Sequence, residues 1–266
     1  MPAAYTHYRF GRDVLALLPE ELRSVITAHR ALYDIGLHGP DIFFFYRPLG
    51  HNSVIRLGHA LHEQSGETVL RRMMTLYDRS PSPAAQAYLL GFLCHFALDS
   101  SCHGYVWQME ALGVGHSLLE TQLDRSFLVE DKRDPCTFNP TGHIKITGEG
   151  AAVIAAFFPQ VTVREVEESV RSMVRVQKLL LPTSAAKRKL LMGSTSLLGM
   201  DSVAGMVMPE RESVACRQMV ERLRLLYDQA IPLAVNLLEA FPVRENPQYR
   251  LNFEGELVAG TEENAR

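Results

Sequence analysis

The side chains able to do chemistry are unevenly spread along the chain. All ten histidines lie at positions 7, 29, 38, 51, 59, 62, 95, 103, 116 and 143, and the last 123 residues hold none. The sharpest pattern is His95, Asp99 and His103 in LLGFLCHFALDSSCHGY. Residues four apart on a helix sit over one another at roughly 6 Å, so these three form one polar stripe on an otherwise apolar surface. Imidazole and carboxylate donors arranged in this way suit zinc. A second pair with the same step, His116 and Glu120 in GVGHSLLETQLD, follows at once. Either pair alone reads more readily as a surface contact or a satisfied core histidine. Together they favour a metal, because a stripe of three buried polar side chains is costly without a partner.

Upstream, HGPDIFFFYRPLG sets Asp41 between a Gly-Pro turn and a very apolar run; in isolation it is a turn aspartate. LGHALHEQSG supplies His59, His62 and Glu63, with His59 and His62 on a shared helix face. No glutamate follows His59 directly, so this is not the HExxH of zinc proteases. His7, in YTHYRFG, says little alone, since Tyr5, Tyr8 and Phe10 around it could equally anchor the chain end.

Helices must position these groups, because helical periodicity dominates and strict alternation is scarce. Residues 19–34 open with proline and two acids and stop at Gly36. Asn52 is placed to cap a helix running to about residue 77, and Ser82 or Pro83 to begin another whose apolar face includes Tyr88, Leu89, Phe92, Phe96 and Ala97. Residues 116–130, 148–158, 163–181 and 211–240 read as further helices, and 131–147 as a loop rich in proline and glycine. The expected fold class is all-α: one helical domain over 1–242, with ligands within 1–125 and a helical layer over 147–241. Residues 243–266 lose periodicity and are expected to form a polar, loosely attached C-terminal tail.

Bulk composition narrows the function classes. At 266 residues, 47% hydrophobic and 21% charged, the chain is ordinary globular protein. A net charge of −3 gives no general attraction to nucleic acid or an anionic membrane, so a polyanionic substrate has to be held locally, by something like a metal. Arg9, Arg12, Asp13 and Glu20 interrupt any leader-like apolar stretch, and no run is long enough to span a bilayer, so a cytoplasmic location is expected. Cys94, Cys102, Cys136 and Cys216 contain no CxxC pair, which points to reduced thiols rather than a zinc finger.

Taken in order, Thr6-His7, Gly39-Pro40-Asp41, His62, His95-x3-Asp99-x3-His103 and His116-x3-Glu120 resemble the zinc-dependent phospholipase C family over about residues 5–125. That family includes the N-terminal catalytic domain of glycosylphosphatidylinositol-specific phospholipase D and is related to single-strand-specific zinc nucleases. The resemblance implies an all-helical fold around two or three zinc ions in a cleft. It further implies that Asp41, His62, His95 and Asp99 hold one ion and that His103, His116 and Glu120 hold a second. A third ion would take His7 and a bridging Asp99, together in the family with the amino-terminal residue; the sequence here begins Met1-Pro2, so that on removal of Met1 the Pro2 amine would be the counterpart. His51 and His59 stand as alternatives to His62. Iron or manganese would also suit such donors.

The function so implied is hydrolysis of a phosphodiester, in a small molecule or a phospholipid headgroup, with Asp41 orienting the attacking water as well as binding metal. Two other readings stay open: a zinc-binding helical protein without turnover, and a single-strand nuclease-like hydrolase. The nuclease, which the acidic balance does not favour, would need stacking platforms such as Phe43, Phe44, Phe45, Tyr46 or Trp107. Sequence does not fix the oligomeric state.

Overall fold

Start signals read in the sequence act as caps in the computed structural model, which describes residues 4–197, 200–242 and 246–258. In chain order the α-helices are α1 (Ala4–Leu17), α2 (Glu20–Ala28), α3 (Arg30–Gly36), α4 (Ser53–Glu63), α5 (Gly66–Arg79), α6 (Pro83–Ala111), α7 (His116–Glu130), α8 (Gly148–Ala155), α9 (Val163–Leu180), α10 (Ala185–Leu197), α11 (Asp201–Gly205) and α12 (Arg217–Glu239). Short 3-10 turns occupy Gly39–Phe45, Val214–Cys216 and Pro247–Arg250. Among the described residues there is no strand, only the isolated bridges Ser65–Asn252 and Leu251–Leu257. The fold is all-α.

Asn52 caps α4 by accepting from the Val54 and Ile55 amides, and Ser82 caps α6 by accepting from the Ala85 amide, with Pro83 at the first helical position. The helix expected over 52–77 is two helices. Ser65 caps a fresh start by accepting from the Thr68 amide, and the Gly66 amide donates outward to the Leu251 carbonyl at 2.7 Å. Likewise 19–34 divides at His29, the helix expected over 148–158 ends at Ala155, and the last helix begins at Arg217 rather than 211. α1, α10 and α11 were not anticipated by periodicity.

The central element is α6, 29 residues and about 43 Å long at the usual helical rise. Every residue from Ala87 to Ser100 is buried, as expected of a helix that is apolar all round and therefore lies in a core. α3 and α12 make the most extensive contacts with it, and α1, α2, α5, α7 and α8 complete the jacket. His95, Asp99 and His103 thus project from the most deeply covered part of the molecule.

The expected loose tail is corrected in part. Tyr249, Asn252 and Phe253 are buried, and 246–258 runs back along α6, held by two aromatic rings against Phe96 and by backbone hydrogen bonds. Residues 243–245 and 259–266 lie outside the described residues. No helix among the described residues is long and apolar enough to cross a membrane.

Candidate metal centre

Asp99 is the hub of the polar stripe. Its Oδ2 lies 3.0 Å from His95 Nε2 and 3.7 Å from His103 Nδ1, while its Oδ1 lies 3.3 Å from His7 Nε2, contributed by α1. The 3-10 turn brings in Asp41, whose Oδ1 is 3.0 Å from Nε2 of His62 on α4. Gly39, at φ +45°, permits that approach: a Cβ there would fall 2.2 Å from the His95 ring. Asp41, His62, His95 and Asp99 form one group, all buried, with candidate ligand atoms within 4.8 Å of one another. His103, His116 and Glu120 form a second group to the same limit, with His116 half-buried.

Hydrogen bonding at the far side of each ring decides what the near side can be. Nδ1–H of His62 donates to the Gly58 carbonyl (2.8 Å), that of His95 to the Leu37 carbonyl (3.2 Å) and that of His103 to the Phe253 carbonyl (3.0 Å). A carbonyl only accepts, so each Nδ1 carries the proton and each Nε2 presents its lone pair inward. There it meets a carboxylate oxygen: Asp41 at 3.0 Å, Asp99 at 3.0 Å and Glu120 at 3.2 Å, respectively. Two lone-pair bearers at that range need a positive centre between or beside them, either a proton or a cation. His95 Nε2, Asp99 Oδ2, Glu120 Oε2 and His7 Nδ1 are buried without hydrogen-bond partners, so protons alone leave the cluster incompletely satisfied. These donors fit zinc: nitrogen and oxygen atoms only, with imidazoles oriented from behind as metal-ligating histidines are.

The charges agree with this picture. Burial opposes ionisation of Asp99, yet His95, His103 and His7 hold its carboxyl well below the usual range. Asp41 is lowered against burial by His95 and His62, and Glu120 is lowered against burial by His116 and His103. Burial works against protonating His7, His62, His103 and His116, but the facing carboxylates raise all four. A cluster so built draws in positive charge.

The second group opens outward. His116, at the start of α7, stands beside a cavity of about 350 Å³ lined by Glu110, Ser117, Leu118, Met192, Ser202 and Gly205, among others. Trp107, 43% exposed, meets the His116 ring edge-on at 5.0 Å between centroids.

His7, Asp41, His62, His95, Asp99, His103, His116 and Glu120 are thus brought together. His51 and His59 are not. Both are exposed and belong to neither group: His51 precedes α4, and on α4 the burial boundary passes between His59 and His62. Both rings of the α4 pair lie against Phe44, at 4.8 and 5.1 Å between centroids, so the face is shared, but only His62 reaches a buried carboxylate. Phe43, Phe45 and Tyr46 are core side chains, and only Phe44 is partly exposed. The chain-terminal amine at Met1 or Pro2 lies outside the described residues.

Three supporting groups escaped the sequence reading. Asp124 accepts from the Thr6 amide (2.7 Å), the Thr6 hydroxyl (2.6 Å) and the Tyr5 amide (3.2 Å), pinning the start of α1 and with it His7. Its signal was present, since His116, Glu120 and Asp124 continue one four-residue step. Glu110 Oε2 lies 3.3 Å from His116 Nδ1 and backs that ring. His143, from the 131–147 loop, shares a hydrogen bond with His38 (Nε2 to Nε2, 2.9 Å) and stacks on Tyr8, walling the side of the site nearest His7.

No curated protein and no solved structure matches the chain. Residues 6–158, more than half of the chain and including every member of both groups, match the zinc dependent phospholipase C family, and the chain belongs to that family.

Proposed function

We propose that the chain is a zinc-dependent phosphodiester hydrolase of phospholipase C type. Asp41, His62, His95 and Asp99 would hold one ion, His103, His116 and Glu120 a second, and His7 with a bridging Asp99 a third. The observation that carries the reading is the set of three imidazoles, each tied back through Nδ1 to a backbone carbonyl and facing a buried carboxylate with Nε2. A structural ion pair needs no such repeated arrangement, whereas metal ligation does.

Ions held there supply polarisation of a phosphoryl oxygen and acidification of water, which hydrolysis of an anionic ester requires. The protein's own contribution is placement. Asp41, kept ionised by His95 and His62, would orient the attacking water and receive its proton. The cavity beside His116 would receive the diester, with Leu118 and Met192 offering apolar contact next to the ligand group. Asp124, through Thr6 and Tyr5, holds the start of α1 and so keeps His7 in reach of Asp99.

Of the stacking platforms that the nuclease-like alternative would use, Phe43, Phe45 and Tyr46 are packed in the core, which leaves Phe44 and Trp107 as the aromatic faces for bases. A zinc-binding protein without turnover is separated by assay. Bis(p-nitrophenyl) phosphate and phospholipid substrates should be hydrolysed, chelator should stop the reaction and zinc should restore it. Unchanged turnover in His95→Ala overturns the metal mechanism, and stoichiometric zinc without hydrolysis of any diester favours the binding protein.

A further inference from the structure

Resting on the metal reading above, we propose that the returning segment 246–258 is a working part of the zinc centre, so that zinc occupancy and docking of this segment stabilise each other. The segment lies outside the family match, which ends at residue 158.

One residue, Phe253, touches both ligand groups. Its carbonyl accepts from His103 Nδ1 (3.0 Å), which fixes the tautomer and turns Nε2 toward Glu120. Its amide donates to the His62 carbonyl at the end of α4 (3.3 Å). Its fully buried ring lies against His62 (5.6 Å between centroids) and His95 (5.9 Å), with Phe92 and Phe96 behind. The next residue, Glu254, accepts from the Trp107 indole (2.6 Å) and sets a carboxylate oxygen 3.5 Å from His103 Nδ1. A segment serving only to close the core would bury its phenyl ring without spending a backbone carbonyl on a ligand imidazole.

The tip of the segment is held by devices that touch no ligand. The Asn252 side-chain oxygen accepts from the Glu254 and Glu256 amides at 3.0 and 2.9 Å. Gly255 adopts φ +75° against α6, where a Cβ would fall 2.8 Å from the Ser100 carbonyl oxygen. Alanine at 255 is therefore excluded twice, by backbone conformation and by contact, and must push the turn off α6. Partners that orient metal-ligating histidines typically contribute 10–100-fold to metal affinity, and such coupling is reciprocal by thermodynamic necessity.

The test uses the full chain and does not depend on turnover. Zinc affinity by chelator competition, the visible spectrum of the cobalt-loaded protein and amide exchange over 251–258 are compared in wild type, Gly255→Ala and Asn252→Asp. We expect Gly255→Ala to bind zinc about tenfold more weakly or worse, with an altered cobalt spectrum and unchanged helical circular dichroism. Asn252→Asp, which loses the amide that donates to Glu256 and sets a second carboxylate against it, should weaken zinc in the same direction as Gly255→Ala, and zinc should slow exchange over 251–258. If Gly255→Ala loses its helical signal, Asn252→Ala replaces it with the same expectation. Wild-type affinity and cobalt spectrum in the displaced variant, or exchange over 251–258 indifferent to zinc, overturns the coupling while leaving the hydrolase reading intact. A wild-type protein that takes up no zinc overturns both.

Discussion

The two ligand groups are built differently. Asp41, His62, His95 and Asp99 come from three separate elements, the 3-10 turn, α4 and α6, and all are buried. His103, His116 and Glu120 come from two consecutive helices, and His116 opens on a cavity. The difference separates two arrangements within one cluster: the first group joins distant parts of the chain, and the second turns the ring of His116 toward a cavity. Asp99, in contact with His95, His103 and His7, is the side chain through which they communicate.

Breaking the hub should have the largest effect. Asp99→Asn keeps the shape and removes the charge that His95, His103 and His7 share, so diester hydrolysis should fall on the order of a thousandfold and zinc should be lost from both groups. Hydrolysis and zinc content within a factor of about two of wild type would mean that the groups are independent. Next, Glu120→Gln should weaken only the outward group, costing about 10–100-fold in zinc affinity there, while titration still finds the inner group filled. Loss of all zinc in that variant would erase the distinction drawn here.

A third expectation concerns protons. In the metal-free chain burial disfavours charged His7, His62, His103 and His116, but neighbouring carboxylates raise them above the ordinary value of about 6.5. Their contribution to metal-free stability is full below that pH and is lost as pH rises through the raised values. Zinc must displace these protons, so its binding should release protons and tighten as pH rises. Calorimetry in buffers of different protonation enthalpy reads the release directly, and zinc affinity indifferent to pH between about 6 and 8 would contradict it. The smallest effect belongs to the exposed rings: His51→Ala and His59→Ala should leave zinc content and turnover unchanged, and a loss in either would reopen the choice among these two and His62.

How much of this was legible in the sequence follows from how each piece is encoded. His95, Asp99 and His103, and then His116 and Glu120, declare themselves because a four-residue step on one helix needs no knowledge of the rest of the fold. The choice among His51, His59 and His62 was not legible, since it depends on where α4 begins and where its surface meets its neighbours. Nor was the return of 246–258: two buried rings, Tyr249 and Phe253, with an Asn252 and Gly255 turn leave no periodicity and read as a polar tail. α1 went unread although Phe10 and Val14, four apart, mark its buried face and His7 lies on it. Its role depends on Asp124, far away in the chain.

Zinc content by native mass spectrometry, in wild type and in His95→Ala and Glu120→Ala, tests the central claim most directly. The account predicts at least one zinc ion per ligand group in the wild-type chain and the loss of an ion in each variant. A zinc-free wild type, or variants that retain the full complement, would contradict it.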